Sequence, residues 1–247
     1  MVTNVENVSQ SSCCCCCSCL TSEFQVRKFC FSTINDDLSW VHQFGDSAWV
    51  SSRFIYVLWR LFLASVMIVG FGLDLSDDIR NGVGPWFPIY LTNWALIFEI
   101  CYLIVAFFVA LWILVQSPHP SAPQPWPTKA AWLLRSIGQP GAVVITVAFW
   151  ALVYTGHLTI VTFWIHAINS IVVALDVLTS CYEVRLLHYI YVLTFGTTYV
   201  VWTVIHYRLD IGVGPPPTSR FIYSALDWGS DHLTRVRLSS TVPHFST

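Results

Sequence analysis

Residues 161–188, VTFWIHAINSIVVALDVLTSCYEVRLLH, decide the fold of this chain. The segment contains about twenty residues that are apolar enough to cross a bilayer. His166, Asn169 and Asp176 lie inside it at spacings of three and seven, which places them on one face of a helix. Because ionisable side chains at membrane depth are costly unless they face protein or water, we expect other hydrophobic segments to surround this helix and cover that face.

The composition supports a membrane protein. Of the 247 residues, 55% are hydrophobic and only 11% are charged, whereas soluble domains carry about 25% charged residues. The 12 tryptophans fit a protein with two membrane interfaces. A net charge of −2 gives no indication of nucleic-acid binding. No cofactor motif is present, and the nine cysteines show neither zinc-ligand spacing nor a disulfide framework.

Most of those cysteines lie in an N-terminal arm. We predict that residues 1–53 form a polar, weakly structured arm without a secretory signal peptide. Its Cys cluster is a candidate for palmitoylation if the arm is cytosolic, and is otherwise a low-complexity tract without function. Asn7-Val8-Ser9 is a glycosylation triplet only if the arm faces the lumen, so the two modifications exclude each other. The lipidation candidates are Cys13, Cys14, Cys15, Cys16, Cys17 and Cys19.

Hydrophobic runs predict an all-α, polytopic transmembrane helix bundle over residues 54–206, followed by a polar tail, 207–247. About twenty residues at a rise of ~1.5 Å match a hydrocarbon core of ~30 Å. A loop with five prolines, 117–128, must lie outside the hydrocarbon because its carbonyls would be unpaired there. The five predicted spans are about 54–73, 89–115, 136–156, 161–181 and 186–206.

Several polar residues fall inside these spans. Arg60 is near the start of the first, where its side chain is expected to extend to the headgroups. Thr92 and Glu99 in the second span are seven residues apart and share a face, so Glu99 should point inward. Thr92 either bonds a carbonyl of its own helix or acts chemically.

The charges in the loops predict an orientation. Lys129, Arg135 and Arg185 lie on the N-terminal side of the bundle, whereas Arg80 is the basic residue of the opposite short loops. Because cytosolic loops carry the excess of Lys and Arg, the N-terminus is expected to be cytosolic.

Four segments carry a resemblance to a known family: YLTNW (90–94), HAINSIVVALD (166–176), VRLLH (184–188) and IYSALDW (222–228). In order and placement they resemble the rolling stone family, multi-pass membrane proteins linked to myoblast fusion. The resemblance implies a non-enzymatic role in cell–cell contact or fusion, with the plasma membrane favoured over the endoplasmic reticulum. Family members typically have one more span after the ALDW-like segment. Here that segment is followed by GSDHLTRVRLSSTVPHFST, which is too polar to span.

A more distant resemblance suggests chemistry. The chain is similar to the androgen-induced family of membrane hydrolases, in which a Thr and a His cleave fatty acid esters of hydroxy fatty acids. The resemblance implies Thr92 as nucleophile and puts Asn169 at the position of the catalytic His. Because an amide cannot accept a proton, His166, one turn earlier, would have to be the base, in contact with Thr92.

Three hypotheses therefore stay open. The first is a non-enzymatic membrane protein whose protein partners the sequence does not indicate, and the second is a hydrolase with a lipid substrate. The third is a proton or solute path through Glu99, His166 and Asp176, since intramembrane ionisable residues often mark such paths. The absence of an internal sequence repeat argues against the third.

Overall fold

The computed structural model describes residues 39–154, 156, 158–214 and 219–229. Within these ranges the chain is helical, with a single isolated bridge between Ser47 and Ser180 and no extended strand. The predicted all-α class is therefore confirmed. The Cys cluster at 13–19, the Asn7 triplet and residues 230–247 lie outside the described residues.

Six helices account for most of the fold, and short 3₁₀ turns at Gly84–Ile89, Leu186–His188 and Ser224–Leu226 lie between or after them. Two of the six contain a π-helical turn, at Phe149–Val153 and at Trp164–Ile168. The helices are α1 (Trp40–Gly45), α2 (Arg53–Arg80), α3 (Leu91–Gln116), α4 (Trp126–Val153), α5 (Ile160–Thr179) and α6 (Tyr189–Arg208).

Four of these helices, α2 to α5, are long and apolar enough to cross a membrane. At most half of each apolar stretch is buried inside the protein. The remainder presents large apolar side chains outward, such as Phe62 on α2 and Phe108 on α3, and lipid is the environment that suits them. The chain is an integral membrane protein that contacts the bilayer. The fifth predicted span corresponds to α6, which has 20 residues and packs along α4 but is not among these four.

The helices extend beyond the predicted spans. Helix α2 continues to Arg80, beyond the predicted end of the first span at residue 73, so Arg80 lies at the end of a helix and not in a loop. Helix α4 begins at Trp126, ten residues before the predicted position 136. One face of its first turns is covered by protein: Trp132 is 2% exposed and its ring meets those of Phe44 and His188. Apolar character toward lipid predicts where a helix crosses the membrane, but not where tertiary packing prolongs it.

The short helix α1 closes one end of the bundle. The Trp40 ring stacks on Trp112 of α3, and its indole N–H donates to the Ala122 carbonyl at 2.7 Å. The Phe44 ring meets the edge of Tyr182 at 4.7 Å. These contacts bring α1, α3 and the segment after α5 together at the end of the bundle where the described chain begins.

Helices α3 and α4 make the most extensive helix pair, and a glycine brings them together. A Cβ atom placed on Gly138 would lie 3.0 Å from the Cα of Glu99 and 2.7 Å from its Oε2. The first of these contacts is with main chain, which cannot rotate out of the way. The absence of a side chain at Gly138 therefore sets the distance between the two helices.

Gly138→Ala should destabilise the folded protein by about 1–3 kcal/mol, because the added methyl group forces α3 and α4 apart. Gly72→Ala on α2 is the matched control, since nothing lies within 4 Å of a Cβ there. That control should be neutral or stabilising by up to about 1 kcal/mol through helix propensity. Unfolding in detergent measures both, and equal effects of the two substitutions would contradict the close approach.

Candidate functional site

Arg60 lies in the protein interior. Its side chain is fully buried, so the expectation that it extends to the headgroups is wrong. The guanidinium forms an ion pair with Asp176 and donates to the hydroxyl oxygens of Tyr56 and, at 3.1 Å, Tyr102. Its central carbon also lies 5.2 Å from the centroid of the Tyr182 ring, within the range of a cation–π contact.

Asp176 is the acceptor at the centre of this cluster. Its carboxylate is buried and receives hydrogen bonds from Arg60, from the Tyr102 hydroxyl at 2.6 Å and from the Gln139 amide at 2.6 Å. Arg60 is on α2, Tyr102 on α3, Gln139 on α4 and Asp176 on α5. Each of the four membrane-spanning helices therefore contributes one polar side chain to what we call the central cluster: Arg60, Tyr102, Gln139 and Asp176.

The central cluster explains how charges are accommodated at this depth. Removing an ion from water costs several kcal/mol even after relaxation, and attraction within a pair compensates only when its remaining donors and acceptors are satisfied. Here three donors surround the carboxylate, and two phenols accept from the guanidinium. A rotated or shifted helix would leave a charge unsatisfied, so the cluster specifies which face of each helix points inward.

Glu99 is buried in a different way. It is fully inaccessible and lies at the contact between α3 and Gly138. Neither of its carboxyl oxygens accepts a hydrogen bond from the described residues. An ionised carboxylate without donors is costly in such a place, so the neutral acid is the form that this packing accommodates. The inward orientation agrees with the sequence-based expectation.

His166 and Asn169 lie on α5, two to three turns before the residue that α5 contributes to the central cluster. The His166 ring is 4% exposed and stacks face to face on Phe149, with centroids 3.6 Å apart and planes 7° apart. Both rings come from the two π-helical turns of α4 and α5, a local widening that sequence periodicity does not reveal. The Nδ1 atom of His166 and the Oδ1 atom of Asn169 have no hydrogen-bond partner in the part of the chain that the structure describes.

Thr92 lies in the first turn of α3 and is half-buried. Its side chain forms a hydrogen bond with Tyr223, whose phenol pKa is raised mainly by burial. The segment that carries Tyr223 also docks on α6, where the Trp228 indole donates to Thr203 at 3.2 Å. No hydrogen bond joins Thr92 to His166 in the described chain. The IYSALDW segment thus covers the residue that the hydrolase hypothesis needs.

No hydrogen bond joins the three ionisable candidates for a proton path to one another among the described residues. Asp176 is bonded within the central cluster, Glu99 has no hydrogen bond to a described residue and His166 stacks on Phe149. Among the residues that the structure describes, no group of three or more His, Cys, Asp or Glu side chains is placed to hold a metal ion.

Comparison with known proteins assigns the family. The family model described as Protein rolling stone matches residues 13–242. The chain belongs to the rolling stone family. It is similar to Protein rolling stone of Drosophila melanogaster, with 26% identity over 215 residues, covering 77% of this chain and 73% of that protein. No solved structure matches the chain. The family resemblance seen in the sequence is confirmed, and its HAINSIVVALD segment supplies the acid of the central cluster.

Asp176→Asn should destabilise the protein by about 3–5 kcal/mol, because it leaves the buried Arg60 charge without its counter-ion. Glu99→Gln is the matched control: it also replaces a fully buried acid by its amide, but no cation among the described residues is bonded to it. We expect the control to change stability by less than about 1 kcal/mol. Unfolding in detergent checks both, and a smaller effect of Asp176→Asn would contradict the central role of that pair.

Proposed function

We propose that this chain is a non-enzymatic multi-pass membrane protein that acts in cell–cell contact or membrane fusion of the myoblast type. Family membership supports the class of protein. The observation that carries the non-enzymatic part is the environment of Thr92, whose hydrogen-bond partner is a phenol and not an imidazole. The polar side chains of the bundle serve its internal packing, and the surface it offers to lipid is apolar.

Chemistry at Thr92 needs a base. A threonine hydroxyl is a weak nucleophile until a group in hydrogen-bond contact takes its proton. Tyr223 cannot take this role near neutral pH, because burial raises the pKa of its phenol and keeps that phenol protonated. The His166 ring stacks on the ring of Phe149 and does not contact Thr92 through a hydrogen bond among the described residues. A threonine in this setting links the first turn of α3 to the IYSALDW segment, which is a structural role.

Thr92→Ala should leave cell–cell fusion unchanged in a cell-mixing assay scored by content exchange between two populations that express the protein. Loss of one hydrogen bond to Tyr223 should cost only about 1 kcal/mol. Thr198→Ala, at an exposed position of α6, is the matched control. Fusion that falls with Thr92→Ala alone, at equal surface expression, would argue for chemistry at Thr92.

The alternative is an intramembrane hydrolase of fatty acid esters of hydroxy fatty acids, with Thr92 and His166 as nucleophile and base. One observation favours it: the buried His166 Nδ1 and Asn169 Oδ1 have no partner among the described residues, as expected where a ligand group binds. A fluorophosphonate probe decides between the two proposals. We expect no labelling of the native chain, whereas labelling that Thr92→Ala abolishes would establish the hydrolase.

We also propose that the protein resides in the plasma membrane with a cytosolic N-terminus. Arg135 and Arg185 lie at the end of the bundle that α1 closes, and the positive-inside rule places that end in the cytosol. The expected result is hydroxylamine-sensitive acylation within Cys13–Cys17 or at Cys19 and no glycan at Asn7. A glycan at Asn7 that an endoglycosidase removes would show that the N-terminus faces the lumen, and would contradict the proposed orientation.

A further inference from the structure

Three aspartates lie at the end of α2 that is opposite to α1. Asp74, Asp77 and Asp78 belong to the last two turns of this helix, which ends at Arg80. The apolar run that crosses the membrane ends just before Asp74, so these turns reach the interface with water. None of the three belongs to the central cluster or to the residues of the hydrolase hypothesis.

Asp74 is the buried member of this group. Its side chain is only 7% exposed, and its Oδ2 atom is buried without a hydrogen-bond donor among the described residues. It follows Leu63, Met67 and Gly70 on the inward face of α2. The Trp164 indole donates to the Val66 carbonyl and covers the same face. An ionised carboxylate in such a place is costly unless a donor or a cation meets it.

The neighbours of Asp74 add negative charge instead of compensating it. Asp77 and Asp78 follow it by three and four residues, so both lie on its side of the helix and interact with it electrostatically. The last turn of a helix is also where the dipole presents its negative end. Arg80 is exposed and forms no ion pair in the part of the chain that the structure describes. This end of α2 therefore concentrates negative charge without a protein cation to balance it.

The segment after α2 folds back over the same end. Phe87, in the 3₁₀ turn, meets the ring of Phe71 on α2 edge to face, with centroids 5.5 Å apart. Tyr90, directly after that turn, is close enough to Asp78 to interact with it electrostatically. Asp78 is half-buried at this contact. A cation between Asp74 and Asp78 would be partly shielded from water, and its attraction to the carboxylates is stronger there.

We propose that Asp74 and Asp78 bind one calcium ion at this end of α2. Residues four apart on a helix have Cβ atoms about 5–6 Å apart, so one ion can lie between their carboxylates. No three His, Cys, Asp or Glu side chains of the described chain are placed to hold one metal ion. Calcium accepts such a site because it takes six to eight oxygen ligands in flexible geometry, and main-chain carbonyls and waters complete its shell.

Two other ions fit this end of α2 less well. A proton on Asp74 would remove one charge and leave Asp77 and Asp78 to repel each other at the end of the helix. Magnesium requires regular octahedral geometry and gives up its waters reluctantly, which two acids on one helix do not overcome. A calcium ion balances two of the three carboxylates at once.

The position of the site relates it to the proposed orientation. With the N-terminus in the cytosol, this end of α2 faces the outside of the cell. Extracellular calcium-binding modules have dissociation constants of about 10⁻⁴–10⁻³ M, which is the range we expect for a site with two carboxylates. Binding itself does not depend on the orientation, because both ends of the protein are open to solution in detergent.

Calcium binding to the full-length protein in detergent tests the proposal. Equilibrium dialysis with radioactive calcium, at an ionic strength fixed with KCl, should show one ion per chain in the range given above. The melting temperature should rise as calcium is added, since an ion that binds the folded state stabilises it. The cysteines of the N-terminal arm do not compete, because thiols are poor ligands for a hard cation.

Variants locate the ion. Asp74→Asn and Asp78→Asn each remove one ligand charge, so each should weaken calcium binding about tenfold or more and reduce the calcium-dependent rise in melting temperature. Asp210→Asn is the matched control, because Asp210 is exposed at the same end of the bundle and already pairs with Arg220. It should leave calcium binding unchanged.

Three results would overturn the proposal. The first is no binding to the native chain at about 10 mM calcium, well above the expected dissociation constant. The second is calcium binding that is equally strong in Asp74→Asn, in Asp78→Asn and in the control. The third is a rise in melting temperature that KCl at the same ionic strength reproduces, since that would be screening of repulsion and not a bound ion.

Discussion

The ion pair between Arg60 and Asp176 is the interaction on which the rest of this structure depends. Both side chains are buried among four helices that lipid surrounds, and each is costly there by itself. Tyr102 and Gln139 complete the hydrogen bonding of the carboxylate, so all four spanning helices must present one particular face to the interior. In a membrane, where apolar surface gains little by leaving lipid, polar contacts and close packing determine helix association.

Close packing follows from the same arrangement. Gly138 allows α4 to approach Glu99 on α3, one turn of α3 before Tyr102. The adjacent Gln139 then reaches Asp176. The opposite half of the bundle has a different organisation, in which His166 stacks on Phe149 between two π-helical turns and the IYSALDW segment covers Thr92. The family motifs thus contribute to two parts of the bundle. One part is stabilised by the ion pair of the central cluster, and the other by the stacked rings of His166 and Phe149 and by the docked IYSALDW segment.

The sequence predicted the class of fold because lipid imposes a strong pattern: long apolar runs ended by prolines, glycines and charges. It also predicted that Glu99 and Asp176 point inward. It did not predict the partner of Asp176, because an arginine at the eighth residue of a helix can either extend to headgroups or turn inward. That choice depends on Tyr56 and Tyr102, which in the sequence resemble other interfacial tyrosines.

The sequence did not predict the contacts of Thr92 either. They depend on Tyr223, more than a hundred residues away along the chain, in a segment with little regular structure. The cavity beside Arg135 was missed for a related reason, since the first turns of α4 were assigned to a loop and their arginine to its surface charge. In each case periodicity gives the direction of a side chain on its own helix, and tertiary packing decides what that side chain meets.

A double-mutant cycle on Arg60→Met and Asp176→Leu tests the central claim most directly, with the free energy of unfolding measured in detergent. Each single variant should cost about 3–5 kcal/mol, because it leaves one buried charge unpaired. The double variant should cost much less than the sum, since both charges are then gone. Additive losses would show that the two residues do not interact, and would contradict an interior organised around their ion pair.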